Sequence, residues 1–260
     1  MTTARTAGHP ASHPSKTKAH ESARKSGYEK WQDGIDDANA NWDVHDCEIW
    51  STVDEYNCHL GKSPGYAPLD WKIVKIMLWV ETGANNPLWK RRPMQIGNVD
   101  DPGLTSLLLG NEGGSLIVPP SIRRGLSLDG AKSDPRQNIQ AGIGYLLMRM
   151  ASYAYKSVLG TDATVHEVTA VSGDSIEKVA KARGSTPEVM KRLNPSVGIV
   201  HAGDVLKYQR AAVERVITGW NPLSSGSIAQ RYNHGDPLYA RKFQYAALAI
   251  DKRVETACAR

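Results

Sequence analysis

The segment DPRQNIQAGIGYLLMRM, residues 134–150, decides the fold more than any other part of the sequence. Asp134-Pro135 marks a helix start, because proline is tolerated in the first helical turn. The apolar residues that follow recur at helical spacing on one face: Ile139, Ile143, Leu146, Leu147 and Met150. Gly142 and Gly144 inside such a helix cost about 1 kcal/mol each relative to alanine. They therefore predict a close approach by another helix or by a ligand.

A second helix is predicted to end at Glu81. Pro68 and Asp70 open it, because proline fits the first turn and a carboxylate suits the positive end of a helix. The residues from Thr82 to Pro87 cannot continue it. A carboxylate near a helix C-terminus feels partial negative charge, which favours its protonated form. Glycosidic cleavage needs such a protonated acid, so Glu81 is a candidate, although many surface helices end in a solvated glutamate.

The remaining segments are interpreted from composition and spacing. Residues 27–60 are expected to form short helices, residues 97–131 are loop-rich, and residues 164–208 follow the order strand, helix, helix, strand. Residues 210–218 and 227–253 are expected to be helical, with an interruption at 233–237. The chain is therefore predicted to be mostly α.

Size and charge limit the classes of function. A chain of 260 residues accommodates one large domain, or a medium domain with a small module. The net charge is +5, but much of the excess lies in the first 25 residues. No basic stripe with interleaved aromatic residues occurs, so nucleic-acid binding is not expected. No segment has the length of a membrane span, and residues 1–26 read as a disordered polar tail without the apolar core of a secretory signal peptide.

Three cysteines leave at least one unpaired. On one continuous helix Cys47 and Cys58 would lie roughly 16 Å apart, so a bridge between them requires a helix break. His45 and His59 flank the pair, but their spacing matches no standard zinc finger. A disulfide or free thiols are therefore favoured over zinc, and no metal or other cofactor is expected. The spacings of His166, His201 and His234 also fit no metal pattern, so surface or loop positions are expected for them.

Four short segments occur in an order typical of one enzyme family: Glu81-Thr82 with Asn86-Pro87, Pro93-Met94-Gln95-Ile96-Gly97, DPRQNIQAGIGYL at 134–146, and Tyr232-Asn233-His234-Gly235. They resemble the motifs of soluble-type lytic transglycosylases, which are relatives of goose-type lysozyme. Two departures are Thr82, where the family has serine, and Pro93, where it has leucine.

The resemblance implies a lysozyme-like α+β catalytic domain formed by residues 27–163 and 209–260. It implies that Glu81 is the catalytic acid and that Tyr232 positions it. Substrate-binding roles follow for Thr82, Met94, Gln95, Tyr145, Tyr232 and Asn233. For Tyr145, packing behind the site is an equally good interpretation.

Residues 164–208 resemble a LysM module, a small βααβ unit inserted into the catalytic domain. The matching segments include Gly173-Asp174-Ser175, Leu193-Asn194-Pro195 and Gly203-Asp204-Val205-Leu206. LysM modules bind chains that contain N-acetylglucosamine between two loops. Here those loops carry Gly173, Asp174, Ser175, Asn194, Pro195 and Ile199. The alternative is a unit of purely structural use.

The two resemblances point to the glycan strands of peptidoglycan as the substrate. The expected reaction cleaves the β-1,4 bond between N-acetylmuramic acid and N-acetylglucosamine and leaves a 1,6-anhydro end. A muramidase is the alternative, and it would usually need a second carboxylate, for which Asp100 and Asp101 are available. A binding protein that relies on the LysM-like unit alone is the third hypothesis.

The absence of a signal peptide suggests synthesis in the cytoplasm and delivery to the periplasm of a target cell by a specialised route. Two routes fit this interpretation: an antibacterial effector of a type VI secretion apparatus, or a phage lysin. An immunity protein would be the expected partner in the first case.

Overall fold

The structure of the protein is a computed structural model, which describes residues 25–98, 102–254, 256 and 258. Helices dominate these residues, as the sequence predicts. In chain order they are α1 (Gly27–Asp36), α2 (Asp46–Leu60), α3 (Trp71–Glu81), α4 (Gly103–Leu109), α5 (Gly114–Ile117), α6 (Pro120–Arg123), α7 (Leu128–Ser133), α8 (Pro135–Met150), α9 (Ile176–Ala182), α10 (Pro187–Leu193), α11 (Ser225–Arg231) and α12 (Tyr239–Ile250), with 3-10 turns at Ala40–Asp43 and Pro87–Lys90.

The strands form two separate antiparallel pairs. They are β1 (Ala151–Leu159), β2 (His166–Thr169), β3 (Val205–Tyr208) and β4 (Ala211–Trp220). β1 pairs with β4, and β2 pairs with β3. Because β1 follows α8 directly, the β1–β4 pair forms a ribbon that leads from the helical body to the segment between its two strands.

That segment has the element order β2, α9, α10, β3, which matches the prediction for residues 164–208. We call residues 164–208 the small unit. Its buried apolar residues form a cluster of their own: Ala170, Ile176, Val179, Ala180, Met190 and Leu206. The small unit therefore has an independent core at the far end of the ribbon.

The core of the helical body is built around α3 and α8, which begin as the sequence predicts. The side chain of Asp70 accepts a hydrogen bond from the backbone N–H of Lys72, and Asp134 does the same for Arg136, both at 2.9 Å. Almost every α8 residue after the first turn is buried. The close approach expected at Gly144 is confirmed, because a Cβ there would lie 2.5 Å from the hydroxyl of Tyr56.

Ion pairs that are largely buried connect α3 to neighbouring elements. The Lys75 ammonium lies 2.8 Å from a carboxylate oxygen of Asp43 and 2.7 Å from one of Asp46. Arg253, which follows α12, lies 2.6 Å from the other oxygen of Asp43. The helix that ends at Glu81 is thus tied to α2, to the preceding 3-10 turn and to the C-terminal segment.

One predicted helix is wrong. Residues 210–218 were expected to be helical, but Ala211–Trp220 is the strand β4. Pairing with β1 joins Leu159 to Ala211 and Ala151 to Trp220, with an irregularity between Ser152 and Tyr153. The stretch AAVERVITGW is rich in β-branched residues, which suit strands. Its partner lies more than fifty residues earlier in the chain, so local spacing gives no sign of it.

The stretch expected to be loop-rich, residues 97–131, contains the four short helices α4 to α7 where it is described. Leu104, Leu107 and Ile117 of these helices are buried in the main core. The expectations for residues 27–60 and 227–253 are confirmed, and the interruption between α11 and α12 falls where it was predicted.

The structure gives the cysteine pairing that the sequence left open. Cys47 and Cys58 both lie on the unbroken helix α2, and the disulfide joins Cys47 to Cys258, whose Cα atoms are 5.3 Å apart. Cys58 is a free, exposed cysteine. The two flanking histidines have protein partners: His45 Nε2 hydrogen-bonds to the carbonyl of Trp89, and His59 Nε2 to that of Leu116.

The predicted tail, residues 1–26, lies outside the described residues as far as residue 24. Ser26 belongs to the fold, because its side chain caps α1 and its backbone N–H donates to Glu29 at 2.7 Å. In the described ranges of the chain, none of the helices combines the length and the apolar character that crossing a bilayer requires.

Candidate active site

A cavity of about 350 Å³ opens where α3 ends, and Glu81 lies in its wall. Five other predicted site residues also line it: Met94, Gln95, Tyr145, Tyr232 and Asn233. The structure therefore brings together residues that are up to 152 positions apart in the sequence. Ile96, Asn98, Pro102 and His234 complete the described lining.

Burial raises the pKa of Glu81 to about 7, because an ionised carboxylate loses its hydration there. Interactions with Tyr239 and Asn233 act in the opposite direction, and the Asn233 amide lies 3.4 Å from the carboxylate. Asp236 raises the pKa and Lys242 lowers it through their charges. Near neutral pH, Glu81 can therefore both donate and accept a proton.

The loop from Arg92 to Gly97 forms one side of the cavity. Gln95 in this loop has a φ of 53°, in the left-handed region that residues other than glycine rarely adopt. Its side-chain amide donates a hydrogen bond to the main-chain carbonyl of Glu81. Gln95 thus joins the loop to the end of α3, at the residue that carries the carboxylate.

Helix α8 fixes the same loop through hydrogen bonds and close packing. The buried Asn138 accepts a hydrogen bond from the backbone N–H of Met94 at 2.8 Å and donates to the carbonyls of Ile96 and Ala131. Gly142 lies one turn further along, where an added Cβ would be 2.7 Å from the side chain of Met94. The predicted close approach at Gly142 is thus by the candidate site loop.

Thr82 has a different place from the one expected. It is not among the described residues that line the cavity, and its hydroxyl donates to the carbonyl of Pro93 at 2.7 Å. This hydrogen bond joins the end of α3 to the loop from Arg92 to Gly97.

Tyr145 and Tyr232 form an aromatic pair on the cavity wall, with ring centroids 5.5 Å apart and planes at 61°. The Tyr232 hydroxyl donates to the carbonyl of Met94 at 3.3 Å. Tyr232 therefore fixes the site loop, whereas the side chains that act on the Glu81 carboxylate include Asn233 and Tyr239. Tyr145 both lines the cavity and packs against the core.

Tyr239 is a site residue that the sequence interpretation missed. Its side chain is buried, and its hydroxyl has no hydrogen bond of ordinary geometry among the described residues, yet it lies close enough to Glu81 to lower the pKa of that carboxyl. Burial and the Glu81 charge raise the pKa of Tyr239 itself. The tyrosine belongs to the first turn of α12, and only the tertiary fold brings it to the end of α3.

Asp236 and Lys242 form an ion pair beside the site, with a separation of 2.6 Å. Burial raises the pKa of Asp236, but the hydrogen bonds from Lys242 and Leu238 and the Lys242 charge together outweigh it, so the net direction is downward. Both Asp236 oxygens are engaged, one by Lys242 and the other by the backbone N–H of Leu238. Asp236 is therefore an ionised group that acts on Glu81 by its charge.

The second predicted group of residues lies around a cavity of about 550 Å³ in the small unit. The described lining includes Asp174, Ser175, Asn194, Pro195 and Ile199. Gly173 is not part of the described lining, although its carbonyl accepts a hydrogen bond from Lys178 at 2.7 Å. The Asn194 side chain donates to Lys207 in β3 and accepts from it, so the loop at one edge is fixed to the sheet.

The two sites offer different chemistry. The cavity at Glu81 combines a proton donor with amides and phenols that suit a polar, uncharged ligand. The cavity of the small unit carries an exposed Ile199, 76% accessible, beside short polar side chains. Asp100 and Asp101, the carboxylates considered for a hydrolytic mechanism, lie outside the described residues.

Comparisons with protein-family models, with characterised proteins and with solved structures give no match to this chain.

Proposed function

We propose that this protein is a peptidoglycan lytic transglycosylase with a lysozyme-like catalytic body, and that Glu81 is its acid and base. The observation that carries the proposal is the Glu81 carboxyl, whose pKa of about 7 lets one group serve in both roles. The aromatic pair Tyr145–Tyr232 in the same cavity supports a sugar ligand, because such rings present flat apolar faces with polar edges.

In the first step, protonated Glu81 gives its proton to the oxygen that links N-acetylmuramic acid to the next N-acetylglucosamine. The bond from that oxygen to C1 breaks, and the 2-acetamido group of the muramic residue stabilises C1. In the second step the 6-hydroxyl of the same residue attacks C1, and its proton passes to the Glu81 carboxylate. A new C1–O6 bond forms, no water is consumed, and Glu81 is again protonated.

The surroundings of Glu81 suit this cycle. Asn233 and Tyr239 stabilise the carboxylate that exists between the steps, while burial restores the acid form. Gln95 and Asn138 hold the backbone around Met94, which forms the opposite wall. A muramidase would instead bring a water molecule to C1, usually with the help of a second carboxylate.

For the small unit, we propose a LysM-type role in binding glycan chains that contain N-acetylglucosamine. The element order β2, α9, α10, β3 and the loop cavity at Asp174 and Asn194 support it. The peptidoglycan partner follows from both proposals. The antibacterial role, the immunity partner, and delivery to the periplasm by a type VI apparatus or a phage stay predictions.

Digestion of purified sacculi tests the reaction. The products of the wild-type protein, Glu81→Gln and the surface control Glu167→Gln would be compared by mass spectrometry. We expect anhydromuramyl products, lighter than hydrolytic products by one water, from the wild type and the control, and none from Glu81→Gln. Reducing-end products would identify a muramidase. Retained binding without release of fragments by the wild type would leave a binding protein.

A further inference from the structure

A third cavity, of about 370 Å³, lies where α8 passes into β1, and arginines surround it. Arg149, Arg215 and Arg231 line it together with the single carboxylate Glu112. Three guanidinium groups against one carboxylate leave two positive charges among the described lining residues. We call this the arginine cavity.

The arginine cavity adjoins the Glu81 site. Tyr145 of the site and Arg149 of the arginine cavity are one turn apart on α8, roughly 6 Å along the helix axis. Tyr232 of the site and Arg231 of the arginine cavity are consecutive residues. The Arg149 Nε also donates to the carbonyl of Arg231 at 3.1 Å, which holds the two elements together.

The three arginine side chains differ in the number and strength of their contacts with other residues. Arg215 is held against Tyr155, with its guanidinium 5.4 Å from the ring centre, and donates to the carbonyl of Asn111. Arg149 lies 3.6 Å from the Glu112 carboxylate, a loose ion pair. The half-buried Arg231 side chain has no hydrogen bond or ion pair with any other described residue. Arg231 therefore offers an open, planar donor set of the kind that binds carboxylates with two hydrogen bonds.

We propose that the arginine cavity binds the carboxylate groups of the peptide stem that is attached to the muramic residue at the scissile bond. This inference rests on the proposed function, since it places the charged part of the same substrate. In a strand that carries its stems, the lactyl carboxyl of each muramic residue is blocked by the amide bond to the stem, so the free carboxylates belong to the stem. An arginine cluster one helical turn from the sugar site gives those groups a partner, and thereby favours strands that still carry their stems.

Two glycan substrates separate this role from catalysis itself. Strands with free stem carboxylates and strands whose stem carboxylates have been amidated would be digested by the wild type, Arg231→Gln and the small-unit control Arg192→Gln. We expect Arg231→Gln to lower kcat/KM about tenfold on strands with free stem carboxylates and to leave kcat/KM on the amidated strands unchanged. An equal loss on both substrates, or no loss on either, would overturn the inference.

A binding measurement keeps the test independent of turnover. A soluble muramyl tripeptide would be titrated into Glu81→Gln and into the Glu81→Gln, Arg231→Gln double variant by calorimetry. We expect about tenfold weaker binding by the double variant, and the same weakening when the peptide carboxylates are amidated. Tighter binding of inorganic phosphate than of the tripeptide would instead point to a phosphate-bearing wall polymer and overturn the inference. If the wild type cleaves neither strand but binds the tripeptide through Arg231, the proposed reaction fails and this inference stands.

Discussion

The backbone N–H of Met94 donates a hydrogen bond to the buried side-chain oxygen of Asn138 at 2.8 Å, so the wall of the candidate site is fixed to the core helix α8. Gly142, one turn further along the same helix, leaves the space that the Met94 side chain occupies. The geometry of the site and the packing of the core therefore depend on the same few contacts.

Substitution of Gly142 should disturb both the geometry of the candidate site and the packing of the core. In Gly142→Ala the new Cβ would lie 2.7 Å from Met94, so the loop must shift. We expect a loss of about 1–3 kcal/mol in the free energy of unfolding, typical of overpacking, together with a loss of activity. Chemical denaturation and sacculus digestion measure the two effects. Gly226→Ala is the matched control, since nothing lies within 4 Å of its Cβ and alanine favours a helix; destabilisation by this control would contradict the packing explanation.

The pH dependence of cleavage should follow the pKa of Glu81. Because the first step of the proposed reaction needs the protonated acid, kcat/KM should fall about tenfold per pH unit above pH 7. Asn233→Ala removes a group that lowers this pKa and should move the decline to higher pH. Asp236→Asn removes a charge that raises it and should move the decline to lower pH. Shifts in the same direction for both variants would show that another group governs the profile.

Glu81→Gln should stabilise the folded protein, and this stabilisation should be larger at high pH than at low pH. The folded pKa of about 7 lies above the ordinary value of 4.5, so the folded state binds more protons between these values and its stability falls as pH rises through them. We therefore expect a higher melting temperature for Glu81→Gln at pH 8 and a difference that vanishes towards pH 4. A constant difference across this range would contradict a raised pKa.

The disulfide between Cys47 and Cys258 spans 211 positions and should stabilise the fold strongly. Cys258→Ser is expected to lower the free energy of unfolding by about 2–4 kcal/mol, mainly because the unfolded chain gains freedom. Thermal unfolding under oxidising conditions checks this. Cys58→Ser, at the free and exposed cysteine, is the control and should leave the melting temperature unchanged. A reducing agent should lower the wild-type melting temperature to that of Cys258→Ser.

The small unit should be removable without unfolding the body. Leu159 and Ala211 are paired across the ribbon, so replacing residues 160–210 by Asn-Gly would close β1 and β4 into a hairpin. We expect the shortened protein to keep its α-helical circular dichroism and its cleavage of short soluble glycans, while it binds sacculi more weakly. Aggregation or loss of the helical signal would show that the body needs the small unit.

Local sequence signals predict α3 and α8 well, because their caps and apolar faces depend on neighbouring residues. Asp70 and Asp134 both cap as their positions suggest. The short helices between residues 103 and 133 were not predicted, since their stability comes from burial of residues such as Leu104 and Ile117 in the core.

The sequence predicts the site residues that lie in short motifs. It does not predict those that only tertiary contacts bring to the site. Met94, Gln95, Tyr232 and Asn233 lie in short motifs, and the structure places all of them around Glu81. Tyr239 has no such signal, because its proximity to Glu81 exists only after α12 packs against α3. Thr82 was assigned to the substrate from its place next to Glu81, yet its hydroxyl faces the loop carbonyls.

The ribbon of β1 and β4 gives the molecule two paired connections to the small unit in place of one flexible linker. Nine residues of extended strand reach roughly 30 Å, and pairing along the whole length resists bending more than a single chain would. If both proposed sites act on one glycan strand, the ribbon sets the distance between the bound sugar and the cleaved bond. Cuts would then fall at a preferred offset from the bound sugar, and fragment lengths would cluster around a characteristic value.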